Sequence, residues 1–411
     1  MLPLTLAFLL ALAASLATRL YLNTRQLAHV EQHRGAVPAE FAKAIDLPTH
    51  QKAADYTVTA GRAGRVRMIV SVALLLTWTL GGGLAFFDAF WKTRIDGEVM
   101  RGIAFLWSVL GVAALLALPF SIHRTFKIEQ RFGFNRTTPA LFVKDLLKSV
   151  LLGLVLGTPL MAAALWLMES AGALWWLWVW AVWTAFSLFL TWILPTYLLP
   201  IFNKLTPLRD GTLKDRLTAL LARVEFPNQG LFVMDGSRRS AHSNAFFAGL
   251  GSSRRIVLYD TLIEQMGEPE IEAVLAHELG HAKLRHVLKM TLMSIAQSLI
   301  GLAILGWLSQ HDWFYKGLGL NEPSSHGALL LFLWVVPVFL FFTAPIGSWL
   351  SRRYEYEADD YGKAHSEPGS LAAALLAIYR HNAATLTPDP VHSAFYDSHP
   401  PAALRIPRLL R

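Results

Sequence analysis

His277, Glu278 and His281 stand in the run EPEIEAVLAHELGHAKLRH, where two imidazoles four residues apart flank a carboxylate. Ile271, Val274, Leu275 and Leu279 recur around them at helical spacing, which predicts a helix through the motif. On a helix, positions i and i+4 share a face about 6 Å apart, so both rings can grip one metal ion. Glu278 sits about 100° round from His277 and can reach a water at that ion. Zinc is the default for neutral imidazoles joined by a carboxylate, one ion per chain. It would polarise a peptide carbonyl and a water while Glu278 takes the water's proton. The pentapeptide also arises by chance on amphipathic helices, so a third ligand decides the matter. His286 lies half a turn away from His277 on a straight helix, which excludes it; beside Lys283, Arg285 and Lys289 it is expected near lipid headgroups. The run SRRYEYEADD offers Glu355, Glu357, Asp359 and Asp360 instead. On a continued helix Glu355 and Asp359 share a face and Glu357 points away. One of the pair would bind the metal and the other would hold the N–H of a ligating histidine; spacing leaves open which.

These residues need a scaffold, and the composition makes it a membrane protein. Of 411 residues, 54% are apolar and 16% charged, against about 25% charged in soluble proteins. There are 14 Trp, 24 Phe and no Cys, which excludes thiol nucleophiles, Cys-ligated metal sites and a disulfide-stapled fold. Seven stretches are long enough to cross a hydrocarbon core: 2–18, 68–87, 102–120, 150–168, 175–199, 287–307 and 328–350. The first is read as a retained span, because no basic residues precede it as they would in a secretory signal. The connector 19–67 carries 8 basic and 4 acidic residues, and 124–148 carries 6 and 2. The intervening connectors are nearly neutral or acidic. The positive-inside tendency then puts the basic loops in the cytoplasm and the N-terminus outside. The net charge of +8 is thereby a topology signal, and no nucleic-acid partner is implied.

The expected organisation is an all-α multi-pass membrane protein with a cytoplasmic metalloprotease region. Residues 1–200 hold five spans with cytoplasmic loops 19–67 and 121–149, and 201–286 lead into the HExxH helix. Residues 287–350 form a transmembrane hairpin, and 351–411 bring back the acidic candidates. Since the HExxH helix leads straight into span six, the return of span seven sets 351–360 beside His277. Leu231–Met234 and Arg255–Tyr259 are short and β-rich, and predict a small sheet near the zinc helix. A transporter would carry ionisable residues in mid-span, and spans four, five and seven have none. A catalytically inactive scaffold would have no reason to keep Glu278 between the histidines.

The match to a family is specific once these residues are in view. The chain resembles the integral-membrane CaaX prenyl proteases, seven-span zinc metallopeptidases. HELGH is accompanied by SRRYEYEAD at 351–359, similar to the pattern SRxxEYxAD. HSNAFFAG at 242–249, SHPPAALRI at 398–406, FKIEQRFGFNRTTP at 126–139 and LPIFNKLTPLRDG at 199–211 resemble further signatures. The resemblance implies zinc on His277, His281 and Glu355, with Glu278 as general base and Asp359 orienting a ligating histidine. It also implies Asn244 beside the substrate, and His399 and Arg405 lining the cleft. Seven helices would enclose an intramembrane chamber, and the substrate would be a peptide or protein prenylated at its C-terminus. Membrane-protein quality control is the alternative role. Read independently, Tyr396-Asp-Ser-His-Pro-Pro is a rigid turn that presents His399 as a donor to an oxyanion. An exposed strand edge would hold an extended peptide near Asn244. The Arg- and Ala-rich chain is read as bacterial, in the inner membrane, with the endoplasmic reticulum membrane as the alternative.

Overall fold

Long apolar runs, opened by prolines and capping side chains, set the helices. The computed structural model describes residues 2–227, 229–248 and 255–411. Helix α1 (Pro3–His33) begins on a proline, whose missing N–H has no helical partner to lose. Asp46 caps α2 (Leu47–Trp78) by accepting from Thr49 N. The run Gly81–Gly83 then breaks the chain, with Gly82 at φ +82°, and α3 (Gly83–Lys92) continues at a 43° bend. Helix α4 (Glu98–His123) runs on through a π-helical turn at Arg124–Glu129. Thr138 caps α5 (Pro139–Ser170). The tryptophan-rich α6 (Trp175–Ile193) passes through a second π turn into α7 (Leu199–Phe202).

The metalloprotease half opens with β1 (Leu205–Pro207), α8 (Thr212–Arg223), β2 (Leu231–Met234), β3 (Ala245–Ala248) and β4 (Arg255–Tyr259). Then come α9 (Asp260–Gln265), α10 (Glu268–Lys283), α11 (His286–Leu308), α12 (Asp312–Gly317) and α13 (Ser325–Leu340). A 3₁₀ turn at Phe341–Thr343 leads to α14 (Ala344–Ala364), followed by α15 (Ser370–His381), α16 (Pro390–Tyr396) and α17 (Ala402–Leu410). Among the described residues six helices are long and apolar enough to cross a membrane, and counting the bent pair α2–α3 as one span gives up to seven. All seven overlap the expected stretches.

The sheet order is β1-β2-β4-β3, with β2 and β4 parallel and the outer strands antiparallel to them. The expected strands are its centre; β1 and β3, of three and four residues, are too short for periodicity to declare. Leu217, Leu221, Ile256, Leu258, Ile271 and Leu275 pack α8 and α10 on the sheet. A separate core of Phe8, Trp78, Phe105, Trp175, Tyr315 and Leu320 closes the opposite end of the bundle. Between these two ends the spans bury little, and α6 has only Trp175, Val179 and Ile193 buried.

Three features position the site. First, α10 and α14 cross backbone to backbone at two glycines. A Cβ on Gly280 would stand 3.0 Å from Ala358 Cα, and one on Gly362 3.0 Å from His277 Cα. Second, the loop after α4 holds the segment that leads into β3: Ala241 N donates to Phe134 O at 3.0 Å and Arg136 N to Arg239 O at 3.1 Å. Third, α1 is fastened at both ends. Thr5 Oγ1 donates to Gly317 O at 2.7 Å. Near the other end Arg25 grips Asp389 through Nε and Nη2 at 3.2 and 2.9 Å, and Gln26 Oε1 accepts from Asp389 N at 2.7 Å. One expectation is corrected here. Helix α10 does not run straight into span six, because Leu284 and Arg285 intervene and Arg285 takes a left-handed φ of +59°.

Candidate metal centre and active site

His277 and His281 project from one face of α10, their Nε2 atoms 3.3 Å apart. Glu355 reaches in from α14, with Oε2 3.6 Å from His277 Nε2 and Oε1 3.3 Å from His281 Nε2. One donor atom from each of the three lies within 4.8 Å of the others. The chemistry of this set can be tested from the far side of each ring. Asp359 Oδ1, fully buried, lies 3.0 Å from His277 Nδ1, a carboxylate placed to favour hydrogen on that nitrogen. His281 Nδ1 lies 3.1 Å from His286 Nδ1, whose own Nε2 donates to Glu357 Oε2 at 3.1 Å. Both ligating rings therefore carry hydrogen on Nδ1 and turn Nε2 lone pairs toward one point and a carboxylate. Two lone pairs and an anion converge only around a cation, so the residues fit a metal ion.

The carboxylates have their own support. Arg405, only 4% exposed, donates through Nε and Nη2 to Asp359 at 2.8 and 2.5 Å, and its Nη1 stands 3.3 Å from Glu355 Oε2. The expectation that Arg405 lines the cleft is corrected: its guanidinium is buried beneath the metal cluster and spent on the two carboxylates. His399 does face open space, its side chain 64% exposed, and its Nδ1 holds Glu355 Oε2 at 2.8 Å. That contact raises the imidazole's pKa, against the effect of desolvation. Burial likewise raises the Glu278 carboxyl, which is largely removed from water beside the cluster. Asn244 is exposed just before β3, its Oδ1 accepting from Ala245 N at 2.8 Å. β3 is an edge strand and packs beside α10. The last residue of the motif at 242–249, Gly249, lies outside the described residues.

His286 is the residue that sequence reasoning misplaced. It is buried, at 1% exposure, and its ring stacks on Tyr354 with centroids 4.3 Å apart; it does not sit among headgroups. The straight-helix argument fails at Arg285, whose left-handed turn swings His286 back behind His281. The run LRH holds no Gly, Asn or Pro that would mark the helix break in advance. Outer partners of metal-binding histidines affect affinity by about 10–100-fold. His286→Ala is therefore expected to weaken zinc binding by that factor, read by competition with a chromophoric chelator. Glu357→Gln should give a smaller loss of the same kind.

A bundle of membrane-length helices carrying an HExxH helix, faced by a glutamate from a neighbouring helix, defines an integral-membrane metalloendopeptidase. Residues 26–204 match the family described as CAAX prenyl protease N-terminal, five membrane helices, and residues 207–411 match peptidase family M48. The chain belongs to peptidase family M48, as a zinc metalloendopeptidase that acts on peptide or protein substrates. It is 37% identical over 320 residues to the CAAX prenyl protease 1 homolog of Oryza sativa subsp. japonica, covering 76% of this chain and 74% of that one. It is 34% identical over 336 residues to CAAX prenyl protease 1 of Saccharomyces cerevisiae, covering 77% and 74%. The crystal structure of S. mikatae Ste24p superposes with a TM-score of 0.90 at 29% identity, covering 100% of this chain and 99% of that one.

Proposed function

We propose that the protein hydrolyses peptide bonds near the C-terminus of prenylated substrates, with one zinc ion on His277, His281 and Glu355. The observation that carries this reading is the ligand triad with both histidine tautomers set by Asp359 and His286, in a chain similar to CAAX prenyl proteases over most of its length. Bound there, zinc supplies Lewis-acid polarisation of the attacking water and the scissile carbonyl. Glu278 takes the proton of that water and passes it to the leaving amine, a transfer its raised pKa suits. His399, with Nδ1 spent on Glu355, offers Nε2 to the developing oxyanion. The Glu355 contact favours the imidazolium form that has a proton to give there. The outer edge of β3, unpaired among the described residues, pairs with the substrate main chain, and Asn244 meets the peptide with its amide. Main-chain pairing reads little sequence, which leaves selection to the lipid.

Hydrolysis is a single step, since there is no cysteine and, among the described residues, no serine takes part in the cluster. The basic loop after α4 contacts the segment leading into β3, beside the metal cluster, which supports a cytoplasmic active site and an outside N-terminus. The bacterial inner membrane is the assignment the composition favours, with the endoplasmic reticulum membrane as the alternative. The test is one CaaX peptide, farnesylated and unmodified, offered to the detergent-purified protein. The farnesylated form is expected to show the higher kcat/KM. Equal values for the two would remove the prenyl reading and leave a broad membrane-protein quality-control protease.

A further inference from the structure

At the sheet edge opposite β3, strand β1 and the end of α7 meet the start of α5 around a recess of about 500 Å³. The charged side chains that line it, Lys148, Lys204, Arg238 and Arg255, are all basic. Lys148 Nζ lies 5.7 Å from the Phe202 ring centre and the Arg255 guanidinium 5.2 Å from that of Phe232. The nearby carboxylates are engaged elsewhere. Asp145 holds Arg239 through both oxygens. The Asp235 carboxylate accepts from Lys204 N, and its Oδ2 stands 3.9 Å from Arg238 Nη1. Arg255 Nε is buried with no hydrogen-bond partner among the described residues. A buried donor calls for an acceptor, and none stands beside this one among the described residues.

A second recess adjoins the first on the outer face of α5, and Lys148 lines both. Its volume is about 720 Å³, and Val143, Leu147 and Leu151 form its wall with Lys144 at the rim. Leu147 is 64% exposed and Leu151 62%, on a helix long and apolar enough to span a bilayer. An apolar groove that faces lipid thus opens directly into a basic pocket at the membrane surface.

We propose that the two recesses together hold one anionic glycerophospholipid. Its phosphodiester sits among Lys148, Lys204 and Arg255, and one acyl chain lies along Val143, Leu147 and Leu151. Arg255 supplies the planar donor set that matches phosphate oxygens, and the lysines add point charges. A zwitterionic headgroup would bring a further cation into a pocket whose charged residues are already cations, so the net charge of the lipid is the selective feature. A free phosphate shares the headgroup chemistry and leaves the apolar groove unused. The position also gives the lipid a consequence, because β1 continues through β2 and β4 to the substrate-facing edge of β3.

The test is native mass spectrometry of the full-length protein, transferred from an equimolar mixture of phosphatidylglycerol and phosphatidylcholine. Wild type is expected to retain one phosphatidylglycerol in preference. The triple change Lys148→Gln, Lys204→Gln, Arg255→Gln is expected to weaken that retention on the order of 100-fold. The charge-conserving set Lys148→Arg, Lys204→Arg, Arg255→Lys should keep most of it, which separates lost charge from a damaged fold. Leu147→Asn with Leu151→Asn should weaken retention of the diacyl lipid, and millimolar inorganic phosphate should not displace it. Equal retention of the two lipids by wild type, or of phosphatidylglycerol by wild type and the glutamine variant, would overturn the proposal. Complete displacement by phosphate would overturn it too, in favour of a soluble phosphoanion pocket.

Discussion

Glu278→Gln is expected to lower kcat for peptide cleavage by about 1,000-fold, within the range that positioned acid–base groups contribute, while zinc content stays at one per chain. The argument rests on separating the ligands from the base. Both Nε2 atoms and the Glu355 carboxylate form the converging set without Glu278, so the amide should leave the metal in place. What it removes is the proton acceptor. The same assay on His281→Ala should lose zinc and cleavage together, because one of three ligands is gone. Inductively coupled plasma mass spectrometry beside a peptide-cleavage rate measures both properties on one sample. Undiminished cleavage by Glu278→Gln would sink the mechanism, and equal inactivity of wild type and variant would point to a scaffold.

Arg405→Ala carries the largest expected effect on stability. Removing one partner of a buried ion pair leaves an uncompensated charge, which costs about 3–5 kcal/mol. Here one guanidinium serves two buried carboxylates, Asp359 and Glu355, at 0% and 4% exposure. The loss should persist after chelation of the metal, since the stranded charges belong to the protein. Zinc affinity should fall as well, because Asp359 loses its anchor and with it the orientation of His277. Arg405→Lys keeps the charge but not the paired donors, so it should recover part of the stability and less of the affinity. Thermal unfolding in detergent with and without chelator, beside a zinc titration, distinguishes these outcomes. Unchanged unfolding of Arg405→Ala would mean that the buried pair contributes nothing.

Much of the site is legible in the chain because helical periodicity is local. The four-residue spacing of His277 and His281 shows which face they share, and the same arithmetic pairs Glu355 with Asp359. The antiparallel return of span seven supplies the one long-range contact that was needed, and β2 and β4 declare themselves by β-branched and aromatic content. The misreadings all arise where a local rule meets tertiary context. A left-handed Arg285 undoes the angular argument about His286, and nothing in a single chain announces that a residue there will turn left-handed. Arg405 reads as a cleft residue by resemblance, but its partners lie more than forty positions away in α14. The strands β1 and β3 are held by their neighbours, with too few residues to show a period.

Fastening α1 at both ends has a consequence for the membrane around the protein. At 1.5 Å per residue, the stretch of α1 between Thr5 and Arg25 makes a rod of about 30 Å. The rod is tied to Gly317 at one membrane face and to Asp389 at the other. Spanning helices meet a bilayer of the wrong thickness by tilting or kinking, or by deforming the lipid around them. A helix pinned at two levels cannot slide, so its tilt is delivered to Asp389, ten residues before His399. A change in bilayer thickness is therefore expected to reach the segment between Asp389 and His399 first.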